Sequence, residues 1–244
     1  MRRLFAVFFS ATLLLAAVSI APADAIVAGA FDGNAHPYVG AIMGASGRPF
    51  CSGALVATQN PDNHVRTNVF LTSAHCLGWA GDGHKVNIRF GATVSGARTL
   101  TGTFHVMPGY SPKTFWHDVA IVVFNIQPAL RPVNIDDGDT IPGRGARVVT
   151  VGFGTPSLGV RKWATEIVTG HATPWLDLTY GSGNSCIADS GGPDLVTPDA
   201  DDGAAPVVVA LTDQGSCGVD WDYLVNSAAV LGFVNDPDFV PDAH

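Results

Sequence analysis

The sequence predicts an all-β protein, an antiparallel sandwich or barrel finished by one short C-terminal helix. Three observations carry this. Short runs rich in Val, Ile and Phe recur with Gly, Pro, Asn and Asp between them, the punctuation of hairpins rather than of βαβ units. Glycine (28) and proline (16) are plentiful in 244 residues, only 14% are charged and 47% are hydrophobic, so a sizeable core can be buried through many turns. A helical pattern occurs only at 227–234, with Asn226 as its N-cap.

Taken in order, the chain opens on Arg2 and Arg3, an apolar run over 4–20, and small residues at Ala21-Pro22-Ala23 and Ala23-Asp24-Ala25. That is the layout of a secretory signal peptide (1–25) with two A-x-A cleavage sites. A membrane anchor is the competing reading of so long a run; the cleavage pattern favours removal, leaving a secreted domain over 26–244. Strands are expected at 39–43, 53–57, 69–72, 86–90, 119–124, 148–152 and 207–211. The turn-rich stretch 132–142 (PVNIDDGDTIP) is the candidate linker, splitting the domain near 128–143. The acidic stretch 198–203 (PDADDG) reads as a solvated hairpin tip, since calcium requires about six to eight oxygens from a shaped loop.

Charge narrows the partners. The chain carries 13 Lys+Arg against 21 Asp+Glu; without Arg2, Arg3 and Asp24 the balance is 11 against 20, a net of −9. Such a surface repels nucleic acid and anionic membranes, so neither is an expected partner once the signal is removed. Export would place Cys51, Cys76, Cys186 and Cys217 in an oxidising compartment. Four cysteines allow three pairings, and the residues alone do not choose among them. None lies in a C-x-x-C, and H-E-x-x-H, P-loop and Rossmann glycine patterns are absent, so no metal and no cofactor is expected.

Three separated segments bear chemistry. In 70–76 (FLTSAHC) a strand ends at His75; in 117–122 (HDVAIV) Asp118 opens an apolar strand; in 184–193 (NSCIADSGGP) Ser190 sits in a glycine-bounded turn. A serine hydroxyl is a poor nucleophile until a histidine takes its proton. An aspartate on the far side of the ring fixes the tautomer and stabilises the imidazolium. Backbone N–H groups around the serine must converge on the developing oxyanion, which small residues in the turn permit.

These segments, in the order His, Asp, Ser, resemble those of the trypsin/chymotrypsin family of serine endopeptidases. Segment 71–76 resembles the family's histidine motif, 118–121 its aspartate motif, and 189–193 (DSGGP) its serine motif without change. Ile26-Val27-Ala28-Gly29 resembles the mature N-terminus, Gly152-Phe153-Gly154 a strand end, and 223–233 the closing strand and helix of bacterial members. The resemblance implies two six-stranded antiparallel Greek-key β-barrels with the cleft between them, His75 and Asp118 from the first and Ser190 from the second. It implies disulfides Cys51–Cys76 and Cys186–Cys217, each closing a loop that the chain-entropy model values at about 3–4 kcal/mol. It also implies an activation pair, in which the amine of Ile26 inserts beside Asp189; position 25 is alanine, so a trypsin-like activator has nothing to cut and no long-lived zymogen is expected.

The departures concern the oxyanion hole and the substrate sites. The oxyanion donors would be the N–H groups of Ala188 and Ser190, and Ala188 stands where the family has glycine. Asn184 holds the position of the specificity-pocket floor; being neutral, it does not support a strong preference for Lys or Arg at P1. Thr212, Asp213 and Gln214 replace the family's Ser, Trp and Gly on the substrate-pairing strand. Trp221 is expected as a buried core residue rather than a wall of the specificity pocket. The resemblance thus implies a secreted endopeptidase acting on protein or peptide substrates; a monomer is expected. Two alternatives stand beside it: a silent homologue that binds a partner through its cleft, favoured by Ala188 and Asp213, and an esterase using the same three side chains.

Overall fold

The structure is a computed structural model that describes residues 26–59, 65–138, 141–197, 204–215, 217–236 and 238. Residues 1–25, expected as a signal peptide, and the acidic stretch 198–203 lie outside the described residues.

After a two-residue strand β1 (Ala30–Phe31), the first half folds as β2 (Val39–Met43), β3 (Pro49–Gln59), β4 (Val65–Thr72), β5 (His84–Phe90), β6 (Thr99–Val106) and β7 (Ala120–Phe124). These pair antiparallel in the closed circuit β2–β3–β4–β7–β6–β5 and back to β2. The second half comprises β9 (Arg147–Gly152), β10 (Lys162–Ala172), β11 (Trp175–Tyr180), β12 (Pro193–Val196), β13 (Val207–Gly215) and β14 (Val219–Leu224). Its circuit, β9–β10–β11–β14–β13–β12 and back to β9, repeats the first strand for strand. The fold is therefore two closed six-stranded Greek-key barrels. Between them lies β8 (Val133–Ile135), which pairs parallel with β3 on one side and β13 on the other. Part of the stretch expected as a linker is thus a strand that ties the barrels together.

The first barrel is filled conventionally. β2 (VGAIM) and β7 (AIVVF) are buried at every position, and Phe70, Phe90 and Phe124 meet edge to face with centroids 5.7–6.5 Å apart. Emptying such a site, as in Phe70→Ala, costs about 3–5 kcal/mol. The second barrel is not filled conventionally. Beside Val148, Val168, Leu176, Leu178, Val209 and Leu224 it buries Glu166, Asp194, Asp220 and Asp222. On β14 (VDWDYL) the two aspartates point inward, so the alternation of a strand sends Trp221 out, where it is 47% exposed. The expectation of a buried Trp221 is corrected: the inward positions belong to carboxylates that accept from Ser185 Oγ, at Asp220, and from the Asp213 N–H, at Asp222.

Helix α1 (Ala228–Asn235) closes the described chain. Its N-cap is Ser227, whose Oγ accepts from the Val230 N–H at 3.2 Å. Asn226, expected in that role, instead donates to Asp136 Oδ2 at 3.1 Å. Arg161 is fully buried against the stretch 32–39, with Nε donating to Asp32 Oδ2 at 2.6 Å and its other nitrogens to the carbonyls of Val39 and Gly33 at 3.1 and 3.0 Å.

Candidate active site

β4 and β7 are paired with Thr72 opposite Ala120. Three residues beyond Thr72 and two before Ala120, the chain reaches His75 and Asp118, so the register alone makes them neighbours. Ser73 is extended, the chain then turns through a short 3₁₀ segment (Ala74–Cys76), and the disulfide Cys51–Cys76 fastens that turn to β3. Asp118 is fully buried and takes two hydrogen bonds from His75: the backbone N–H reaches Oδ1 at 2.7 Å and the ring Nδ1 meets Oδ2 at 2.9 Å. With Nδ1 bound there as donor, Nε2 is the basic nitrogen.

Ser190 is brought in from the other barrel. Its carbonyl accepts from the Ser52 N–H of β3 at 2.8 Å. The next residue, Gly191, has φ +79°, and a Cβ there would collide with Thr72 Oγ1, the Ser52 carbonyl and the Ser73 N–H. Only glycine lets the serine turn press against the strand that delivers the histidine. Ser190 and His75 accordingly line one cleft of about 550 Å³, together with Ser185, Ala188, Thr212, Gln214 and Asp220. Beyond His75 a second hollow of about 590 Å³ carries Trp79, Tyr110 and Phe115.

Ala188 has φ +76°. For an alanine this left-handed conformation costs about 1–2 kcal/mol. A buried clamp holds it: Ser52 Oγ donates to the Ala188 carbonyl at 3.0 Å and accepts from the Phe153 N–H at 3.0 Å. Asp189 is buried, accepting from the N–H groups of Gly154 at 2.7 Å and Cys186 at 3.0 Å and from the backbone of Ile26. Burial pushes its carboxyl up to about 7, against those three hydrogen bonds. Gly152 and Gly154 make room, since a Cβ on either would run into the carboxylate. Ile26 is itself fully buried and has φ +45°, a strained value for a β-branched residue.

The remaining sequence-derived residues fall in different places. Asn184 is fully buried and donates from Nδ2 to Asp220 Oδ2 at 3.4 Å; Thr212 presents its carbonyl to the Gly191 N–H at 2.7 Å. Gln214 lines the cleft. Asp213 also lines the cleft, beside His75. Its register is shifted between Leu211 and Gln214, and its fully buried carboxyl turns to His75, with Oδ1 3.4 Å from Nδ1. Sequence reasoning missed Asp220, which reaches the cleft from β14; the alternation of β14 around an outward Trp221 was the available signal. Cys186 and Cys217 are bonded, fastening the serine turn to the loop before β14.

A search of curated proteins gives no match. The trypsin family model matches residues 29–218. Among solved structures, HBP is similar with a TM-score of 0.61 at 16% identity, covering 78% of this chain and 87% of its own. A mutant of human heparin binding protein is similar with a TM-score of 0.66 at 14% identity, covering 85% and 94%. At such identities these two likenesses speak for the fold alone.

Proposed function

This chain belongs to the trypsin family, and from that premise we propose that it is a secreted serine endopeptidase. Ser190 Oγ attacks the substrate carbonyl while His75 Nε2 takes its proton, and Asp118 holds the ring and stabilises the imidazolium. The N–H groups of Ala188 and Ser190 receive the oxyanion, His75 returns the proton to the leaving amine, and water then releases the acyl group from Ser190 by the same exchange. The observation that carries this reading is the doubly bonded His75–Asp118 pair on the same cleft as Ser190.

The hydrogen bond from Ile26 to Asp189 supports a mature chain that begins at Ile26. A free amine there would convert a neutral contact into a buried ion pair, and a chain starting at Ile26 has no φ to strain. Asp220 supports a basic side chain at P1. Asn184 alone offers no charge, but Asp220 lines the cleft beside Ser185, whose Oγ donates to its carboxylate at 2.8 Å. Burial raises Asp220, opposed by hydrogen bonds from Ser185 and Asn184, and an entering ammonium or guanidinium would ionise it.

The test is labelling with a fluorophosphonate and turnover of a Lys or Arg peptide. Wild type should do both and Ser190→Ala neither; a wild type starting at Ile26 that does neither refutes the reading. A binding-only role is favoured by strained Ala188, and polyanions are its poorest candidates because the chain carries a net charge of −8. An esterase role would appear as turnover of ester but not peptide substrates.

A further inference from the structure

We propose that Asp213 is a second positioning residue for His75, acting with Asp118 on the Nδ1 side of the imidazole. This rests on the endopeptidase reading for its catalytic consequence, though not for its geometry. Oδ1 of Asp213 lies 3.4 Å from Nδ1 and Oδ2 of Asp118 lies 2.9 Å from it. The ligating atoms of His75, Asp118 and Asp213 all fall within 4.8 Å of one another. Both aspartate side chains are fully buried. The Nδ1–H is aimed at Asp118, so neither oxygen of Asp213 has a hydrogen-bond partner among the described residues.

Two buried carboxylates this close cannot both be ionised without a large penalty. The groups that face Asp213 are His75 from the turn after β4, Asp118 ahead of β7, Asp222 from β14, and the hydroxyls of Tyr110 and Tyr223. None is a lysine or arginine. Burial, with the Asp118 charge, pushes the Asp213 carboxyl up to about 8, while the nearby His75 pulls the other way. Below that range Asp213 is a carboxylic acid whose O–H is in reach of the Asp118 carboxylate, and it braces Asp118 as a hydrogen-bond donor. As Asp213 loses its proton, the ring faces two anions and holds its own proton harder. Burial pulls His75 down, but its contacts with Asp118 and then Asp213 prevail and carry it up to about 9. Hydrolysis, which needs neutral His75, is thereby moved to alkaline pH.

The experiment compares wild type with Asp213→Asn and Asp213→Ser, both neutral. One readout is the pH profile of kcat/KM; the other is the imidazole titration of His75 by NMR in a Ser190→Ala background, which requires no activity. Either variant should lower the His75 midpoint by about one unit or more, with KM little changed. Unchanged midpoints, or an altered KM and substrate profile at a fixed midpoint, overturn the proposal. An NMR midpoint that falls in a protein without hydrolytic activity upholds the positioning role and counts against the endopeptidase reading alone. Two substitutions guard against one failing to fold.

Discussion

Ser52 gives a sharp test of how the cleft is held. Its hydroxyl is fully buried and bridges the Ala188 carbonyl and the Phe153 N–H, each at 3.0 Å. Ser52→Ala deletes one oxygen and orphans two buried backbone groups. Each orphan costs about 1–3 kcal/mol, so the loss is about 2–4 kcal/mol when the two are not counted in full. For a domain of this size each kcal/mol moves Tm by about 2–4 °C, so a calorimetric scan should register a drop of about 5–15 °C. Catalysis should suffer separately. Freed of the clamp, Ala188 can leave φ +76° for the ordinary region, turning its N–H from the oxyanion, and one lost donor lowers turnover by about 10²–10³. A Ser52→Ala protein that melts within about a degree of wild type and keeps its kcat/KM would refute the reasoning.

Other outcomes follow from the same geometry. Asp220→Asn should reduce kcat/KM for Lys and Arg peptides by about 30- to 1,000-fold, equivalent to roughly 2–4 kcal/mol, and spare apolar ones in a cleavage profile. Protein beginning at Ile26 should be more stable in thermal melts than protein beginning at Asp24, by up to about 3–5 kcal/mol if the buried pair with Asp189 forms, and should label faster with fluorophosphonate. Arg161→Leu strands a buried Asp32 and should lose about 3–5 kcal/mol in urea unfolding. Burial alone would raise Asp32, but His36 and Arg161 outweigh it and hold the carboxyl below its ordinary value. The folded pKa is thus below the unfolded one, so this contribution is complete above the unfolded value and disappears as pH falls through the folded one. Arg161→Leu should therefore flatten the acid side of the stability profile.

What the sequence makes legible follows the physics of each signal. Strands such as β2 and β7 are solid apolar runs, and they stand where the composition places them. β10 (KWATEIVTGHA) escaped notice because polar residues interrupt both of its faces and one inward position is Glu166. His75, Asp118 and Ser190 each sit in a local motif, so their segments can be found without knowing the fold. Asp213 and Asp220 sit in none. The direction of Asp213 depends on a register shift in β13, and that of Asp220 on a barrel interior that accepts carboxylates in place of tryptophan. Hydrophobic patterning assumes the opposite interior and so misplaces Trp221.

Strand β8 bears on how this cleft behaves under load. Its three residues share backbone hydrogen bonds with both β3 and β13, the strands that carry Ser52 and Thr212. Spreading the jaws of the groove would mean unzipping that splint, a step with far more resistance than bending a free tether. The molecule is built as a fixed vice, and adaptation to different occupants falls to the loops at its rim.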